Sequence, residues 1–243
     1  MTSVLAGKVA LVSVYRGSSR PGDADPAVAI LRGLADQGAS VGLVAPEASK
    51  DGVGASANML DRGSYEAAVA AIVREIGTID LFVLVVVDPG SLAPAAFATL
   101  GETEWAERCE APLRAVRVGL QAAHGALKER GGRIVLLVPT IAINGAEGLV
   151  PYGAVGEGAR SLAKAAARRW GAQGITVNCL ALTPAQLHPE ASATGRPTRV
   201  PQALDHTPDL RTEIAPFIAC MVAAPGIVTG STIMVDGGNL MSV

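Results

Sequence analysis

The sequence predicts an α/β protein built on one doubly wound parallel sheet. Short runs of apolar residues alternate along the chain with Ala- and Leu-rich segments of helical length, which is the pattern of βαβ units. Of the 243 residues, 49% are hydrophobic and 17% are charged, so the chain can bury a large core. No internal repeat or linker interrupts the pattern. We therefore expect a single domain over residues 1–243.

Seven apolar runs have the length of buried strands. Asp25-Pro26 predicts the start of the first helix, because an Asp N-cap followed by Pro at the first helical position is favourable. The segment 184–212 contains five prolines and two histidines and predicts a long loop within the domain. The predicted strands are 8–14, 40–45, 54–60, 81–87, 133–138, 175–181 and 232–235.

Charge and apolar patterning exclude several classes of function. A net charge of −2 with scattered signs offers no basic surface for nucleic acid or for a membrane. The longest apolar run, 81–87, is far too short to span a bilayer, and the N-terminus has no targeting pattern, so we expect a cytoplasmic protein. Cys109, Cys179 and Cys220 lack the spacing of metal ligands, and no metal site is predicted.

Six segments resemble, in the same order, segments of the short-chain dehydrogenase/reductase (SDR) family. Among them, Gly174-Ile175-Thr176-Val177-Asn178 resembles the entry into the sixth strand of that family. The resemblance covers nearly the whole chain and implies a Rossmann-type SDR fold, in which the loop 184–212 corresponds to a lid over the ligand. The six segments are 7–12, 34–44, 76–83, 131–138, 174–178 and 229–238.

The resemblance also locates the cofactor-binding turn after the first strand, where three glycines let the pyrophosphate approach a helix N-terminus. Here Val14, Asp25 and Ala27 stand at the glycine positions, and a carboxylate would occupy the anion site. We therefore expect no cofactor in this chain. An alternative is an unusual phosphate loop, because Arg and Gly both favour phosphate. That loop would use Arg16, Gly17, Arg20 and Gly22.

Other positions near the cofactor of the family depart from its pattern. Ala45-Pro46 replaces the charged residue that contacts the adenosine ribose, and Leu182-Thr183 replaces a Pro-Gly pair near the nicotinamide. The segment 84–90 ends without the Asn-rich turn that follows the fourth strand. Asn58 stands where an adenine-contacting Asp or Asn is common. One polar residue does not define a site.

The catalytic positions follow from the spacing of the family, in which an Asn, a Ser, a Tyr and a Lys cooperate. Ala111, Pro139 and Gly156 occupy the Asn, Ser and Lys positions, and only Tyr152 remains. Without a neighbouring cation, a phenol keeps a pKa of about 10 and is a poor base at neutral pH. Tyr152 is therefore expected to be vestigial and packed in the interior.

Neighbouring polar residues do not replace the lost groups. Thr140 should point to the opposite face from Pro139 unless the strand bulges, because side chains alternate along a strand. Arg160 lies two turns beyond Tyr152 and is expected to be too distant for contact, and Lys164 lies farther still. The three histidines form no catalytic pair that the sequence identifies. They are His124, His188 and His206.

The resemblance implies an oligomer, because SDR proteins usually form tetramers through segments that correspond here to 103–130, 152–171 and 212–243. A scaffold without its sites is similar to the degenerate subunits that complete the interfaces of an active homologue. We therefore expect a cofactor-free, non-catalytic subunit of a heteromeric NAD-dependent hydroxyacyl-CoA dehydrogenase. A catalytically intact SDR homologue would be its partner in a heterotetramer and would hold the NAD and the acyl-CoA substrate.

Two alternatives remain open. A cofactor-independent enzyme of the halohydrin dehalogenase type also lacks the Gly-rich loop, but it has a Ser and an Arg where this chain has Pro139 and Gly156. A ligand-sensing regulatory protein could use the vacated pocket.

Overall fold

The computed structural model describes residues 3–17, 25–47, 53–188 and 202–241. Within these ranges, seven parallel strands form one sheet in the order β3-β2-β1-β4-β5-β6-β7. The predicted doubly wound parallel sheet is therefore confirmed. The strands are β1 (Val9–Tyr15), β2 (Ser40–Ala45), β3 (Val53–Ser56), β4 (Leu81–Val86), β5 (Gly132–Pro139), β6 (Ile175–Leu182) and β7 (Thr232–Met234).

Helices cover both faces of this sheet, as parallel connections require. Single π-helical segments precede α4 and α8, at Ala106–Glu110 and Leu210–Ile214. The helices are α1 (Pro26–Asp36), α2 (Arg62–Ile76), α3 (Glu102–Trp105), α4 (Ala111–Leu127), α5 (Ile141–Asn144), α6 (Val150–Trp170), α7 (Pro184–Leu187) and α8 (Ala215–Ala223).

The alternation of side chains along each strand divides the core into two layers. In β1, Val12 packs with residues of α1 and α8, whereas Leu11 points to the opposite layer with residues of α2, α4 and α6. Both side chains are completely buried. The central strands therefore read as continuous apolar runs because both of their faces are covered.

The start of α1 agrees with the prediction from Asp25-Pro26. The Asp25 carboxylate accepts hydrogen bonds from the amides of Ala27 and Val28, and Pro26 is the first helical residue. Gly33 lets this helix approach the chain that leads into α8. A Cβ at position 33 would overlap the Ala215 side chain and the Arg211 carbonyl.

Two predicted segments differ from the structure. The strand predicted over 54–60 ends at Ser56, because Asn58 begins a turn in which its Oδ1 accepts a hydrogen bond from the Leu60 amide. Of the loop predicted over 184–212, residues 189–201 lie outside the described residues. The described part of the loop contains α7 and the π-helical start of α8. In the ranges that the structure describes, no helix is both long and apolar enough to cross a membrane.

Candidate functional site

Pro139 and Tyr152 lie at the carboxyl edge of the sheet, where open α/β sheets bind their ligands. Pro139 ends β5, in register with Leu182 at the end of β6. Proline has no amide hydrogen to donate, and this is tolerated at position 139 because β4 pairs with β5 only as far as Leu137. Tyr152 is the third residue of α6 and is 4% exposed. The structure therefore brings together the two positions that the sequence placed at the reaction centre.

Gly156 lies one turn beyond Tyr152, directly beneath Pro139. A Cβ built at position 156 would lie 2.5 Å from the Ala142 Cβ, and 3.1 and 3.2 Å from the Cγ and Cδ of Pro139. A Cβ contact under 3.0 Å with another fixed Cβ requires the backbone to move. The position that carries Lys in the family pattern is thus closed by α5 and by the proline ring.

A small cavity of about 20 Å³ remains beside Tyr152. Its lining is almost entirely apolar and includes Pro139, Val155 and Gly156. A space of this size can hold one water molecule, and it does so only when two or more polar partners line it. The cavity is therefore a packing void and does not have the dimensions of a substrate pocket.

The Tyr152 ring contacts His188, a pairing that the sequence analysis missed. The ring centroids are 5.4 Å apart with an interplanar angle of 67°, which is an edge-to-face arrangement. His188 follows α7 immediately and is 1% exposed. The sequence pattern places it in the predicted loop 184–212. The sequence cue that could have located it is its position just after β6, at the same sheet edge as Tyr152.

The other residues considered for catalysis point elsewhere. Thr140 follows β5 in helical backbone geometry, is buried, and donates its amide to the Leu182 carbonyl. The Arg160 guanidinium donates to Thr232 Oγ1 and to Glu157, so it faces β7. Lys164 is exposed on α6, and Ala111, the first residue of α4, has no polar side-chain atom that could anchor a water.

The glycines of α6 serve packing within the chain. The smallness of Gly158 accommodates Leu113 of α4, because a Cβ at position 158 would lie 2.6 Å from Leu113 Cδ1. Gly156 is closed by Pro139 and Ala142 in the same way. Only Gly153 has no described atom within 4 Å of its Cβ position. Close approach of a partner helix can therefore use Gly153 but not the other two glycines.

The turn between β1 and α1 contains a buried ion pair. Arg16 donates to the Asp25 carboxylate, and both side chains are almost fully buried. The same carboxylate caps the amides at the N-terminus of α1. Val14 and Ala27, at the two other positions that carry glycine in the family pattern, are completely packed in the core. The positive end of α1 is thus neutralised by a side chain of the protein itself.

Asp88 follows β4 and faces the same turn. Its carboxylate accepts hydrogen bonds from the Gly90 amide and the Ser91 hydroxyl, and its Oδ1 lies 2.5 Å from the Cβ position of Gly17, where φ is +58°. Burial raises the pKa of Asp88 above its ordinary value. Burial, with a smaller contribution from the negative Asp88, raises the pKa of the Tyr15 phenol to about 12.

The described residues of this turn do not form a ready phosphate cradle. A phosphate at the N-terminus of α1 would have to displace Asp25 from Arg16 and from the helix amides. Arg20 and Gly22, which the alternative phosphate loop requires, lie outside the described residues. Asn58 uses its side chain within its own turn.

In the part of the chain that the structure describes, no group of three or more His, Cys, Asp or Glu side chains is placed to bind a metal ion. Cys109 and Cys179 are buried, and Cys220 is exposed. Burial raises the pKa of the Cys179 thiol to about 12, which disfavours the thiolate that metals bind.

Comparison with known proteins shows similarity to reductases and dehydrogenases. Residues 27–239 match a family model described as enoyl-(acyl carrier protein) reductase. The chain is 30% identical to the 3-oxoacyl-[acyl-carrier-protein] reductase FabG of Vibrio cholerae, over 98% of this chain and 99% of that protein. It is 29% identical to the (2S)-[(R)-hydroxy(phenyl)methyl]succinyl-CoA dehydrogenase subunit BbsD of Thauera aromatica, over 77% and 75% of the two chains.

Solved structures show the same fold. A short-chain dehydrogenase/reductase from Burkholderia xenovorans superposes with a TM-score of 0.75 at 26% identity, covering 98% of each chain.

The comparisons overturn the prediction that this chain is without a cofactor. Its relatives are reductases, and a structure of the same fold, a blue fluorescent protein from a metagenomic library, is a complex with NADPH. That protein is 24% identical, with a TM-score of 0.71 over 98% of this chain. That prediction rested only on the residues at three glycine positions, Val14, Asp25 and Ala27. The chain belongs to the short-chain dehydrogenase/reductase family of oxidoreductases.

Proposed function

We propose that the chain is a non-catalytic subunit of a heteromeric, nicotinamide-dependent hydroxyacyl-CoA dehydrogenase of the SDR type. The observation that carries the proposal is the closure of Pro139 and Ala142 over Gly156. The Ser and Lys positions of the family pattern are filled by contacts that leave no room for a functional side chain at position 156.

The chemistry of the remaining Tyr152 supports this role. A phenol with a pKa of about 10 needs a nearby cation to act as a base at neutral pH. At the Lys position of the family pattern Gly156 supplies none, and among the described residues the Arg160 guanidinium is engaged by Thr232 and Glu157. Each lost contributor removes roughly two to three orders of magnitude in rate. Proton transfer in the complex therefore falls to a catalytically intact partner subunit, whereas the nicotinamide cofactor supplies hydride transfer.

The similarity to BbsD supports the assembly and the substrate class. By its name, that relative is one subunit of a dehydrogenase that acts on a CoA ester. Among subunits of such dehydrogenases, the pattern of Pro139, Tyr152 and Gly156 resembles that of the non-catalytic subunit of hydroxy(phenyl)methylsuccinyl-CoA dehydrogenase. The proposed complex is a heterotetramer in which the partner holds the acyl-CoA. The proposed subunit is one domain over residues 1–243, with 184–212 as its lid.

Exposed apolar residues mark the surfaces that such a partner would cover. β7 pairs with β6 on one side only, among the described strands, so its other edge is open. Ile227, in the segment between α8 and β7, is 85% exposed, and Met241, in the C-terminal segment, is 76% exposed. Such side chains favour burial in an assembly. Gly153, on the open side of α6, permits close approach of a second helix.

Co-expression with an intact SDR homologue from the same genome tests the proposal. The tagged chain should copurify with a homologue that has Ser, Tyr and Lys, and native mass spectrometry should show both chains in one oligomer. Replacing the catalytic Tyr of the homologue by Phe should abolish dehydrogenase activity, whereas Tyr152→Phe should not.

Two results would contradict the proposal. One is recovery of homo-oligomers only, although both chains are well expressed. The other is dehydrogenase activity of this chain alone at a rate comparable with that of the intact homologue.

A further inference from the structure

A capping box, a buried leucine and side-chain hydrogen bonds hold the short helix α7 in place. A capping box closes its start, because Thr183 Oγ1 accepts the Gln186 amide and Gln186 Oε1 accepts the Thr183 amide. Leu187 is buried in the core layer that contains α1 and α8. We refer to residues 183–188 as the α7 turn.

The α7 turn joins two elements that are far apart in sequence. Gln186 Nε2 donates to the Val235 carbonyl at 3.4 Å, which ties the turn to the C-terminal segment after β7. It also donates to the Pro208 carbonyl at 2.8 Å, just before the π-helical start of α8. His188, at the other end of the turn, packs edge to face on Tyr152 of α6. The α7 turn thus lies between α6 and the segment that follows β7, and both elements belong to the predicted subunit interfaces.

We infer that Tyr152 provides the aromatic ring against which His188 packs, and that this ring pair holds the α7 turn between α6 and the C-terminal segment. The inference explains why an aromatic ring remains at position 152 although Pro139 and Gly156 have replaced its former partners. It rests on the proposed function in one respect, because a chain that transfers no proton can use the tyrosine for its ring.

The ring, and not the hydroxyl, carries the proposed role. An aromatic edge-to-face contact depends on the shape and quadrupole of the ring, both of which phenylalanine keeps. A branched aliphatic side chain at position 152 would retain much of the apolar volume but would remove the aromatic ring that His188 contacts. Phenylalanine and leucine at this position therefore separate the two contributions.

Hydrogen exchange of the full-length chain, read by mass spectrometry, tests the inference. The reporters are the amides of Gln186, Leu187 and His188, which donate to the carbonyls of Thr183 and Pro184. Tyr152→Phe should leave their exchange within about threefold of wild type. Tyr152→Leu and His188→Ala should each raise it about tenfold or more, because local opening of the turn then needs less free energy.

A second ring pair, between α4 and α6, supplies the control. At the opposite end of α6, His124 stacks on Trp170 with centroids 4.7 Å apart. Trp170→Leu removes that contact without touching the α7 turn, and it should leave the reporter amides unchanged. A general loosening by Trp170→Leu that matches Tyr152→Leu would overturn the inference.

Three further outcomes are decisive. Unchanged exchange of the reporter amides in both Tyr152→Leu and His188→Ala would refute the proposed role of the ring pair. An opening in Tyr152→Phe as large as in Tyr152→Leu would assign the role to the hydroxyl. If Tyr152→Leu does not fold, His188→Ala and His188→Leu decide the matter alone. Dehydrogenase activity is measured separately, on the complex and on the isolated chain. Activity of the isolated chain would refute the proposed function, whereas the exchange data would still test the role of the ring pair.

Discussion

Two regions at the carboxyl edge of the sheet, separated by β4, are filled in physically different ways. The turn between β1 and α1 is filled by a buried ion pair, in which Asp25 binds both Arg16 and the helix amides. The region between β5 and α6 is filled by apolar contact, in which Pro139 and Ala142 cover Gly156. In the pattern of the family, the first turn binds phosphate and the second region carries the catalytic side chains.

The difference determines how each region responds to change. An ion pair in the interior depends on both charges, so the removal of one leaves the other unpaired. An apolar closure depends on shape, so each added atom must displace a neighbour. A single substitution can therefore open the first turn, whereas the second region requires several substitutions together.

The largest expected effect is the loss of Asp25. Asp25→Ala removes the N-cap of α1 and leaves Arg16 buried without its carboxylate, so the free energy of unfolding should fall by about 3–5 kcal/mol. Asp61→Ala is the matched control, because Asp61 caps α2 at an exposed site and should cost about 1 kcal/mol. Urea unfolding measures both. Equal losses would show that the ion pair contributes nothing beyond the cap.

The second prediction tests the apolar closure. Gly156→Ala places a methyl group 2.5 Å from the Ala142 Cβ and should destabilise the protein by about 1–3 kcal/mol. Gly153→Ala on the same helix meets no described atom and should stabilise the protein, by up to about 1 kcal/mol, because alanine favours the helix. Thermal unfolding compares the two variants. A neutral Gly156→Ala would mean that Ala142 and Pro139 move aside easily and that the region is not closed.

A smaller effect is expected at Tyr152, to which the proposed function assigns no catalytic task. In the reconstituted complex, Tyr152→Phe should change the steady-state rate by less than about threefold, which is well under 1 kcal/mol of barrier. Circular dichroism controls for folding. A loss of roughly a hundredfold with normal assembly would assign acid or base catalysis to Tyr152.

The smallest effect concerns an exposed ionic cluster, the solvent-screened counterpart of the Arg16–Asp25 pair. Glu213 and, to a lesser extent, Asp205 raise the pKa of His206 above its ordinary value of 6.5. A raised pKa in the folded state gives stability that is fully present below pH 6.5 and is lost as the pH rises through the folded pKa.

Urea unfolding over this range tests the cluster. The difference in stability between wild type and His206→Gln should shrink as the pH rises, and it should be small throughout because the groups are exposed. A difference that does not vary with pH would remove His206 from the charge balance of the fold.

The sequence by itself determined the sheet, because short apolar runs that alternate with segments of helical length are typical of buried parallel strands in βαβ units. It also determined the start of α1, since a local carboxylate and Pro26 suffice to begin a helix. The length of β3 was less accessible. Asn58 begins its turn through hydrogen bonds that compete with the sheet, and the apolar pattern does not show that competition.

Only the tertiary structure decided how the site is filled. Spacing placed Pro139, Tyr152 and Gly156 together, but the contact of Ala142 with Gly156 depends on the course of the chain after β5. The packing of His188 on Tyr152 joins residues 36 positions apart and follows from the register of β6 with β5. Such contacts depend on distances between elements, which periodicity and spacing along one chain do not contain.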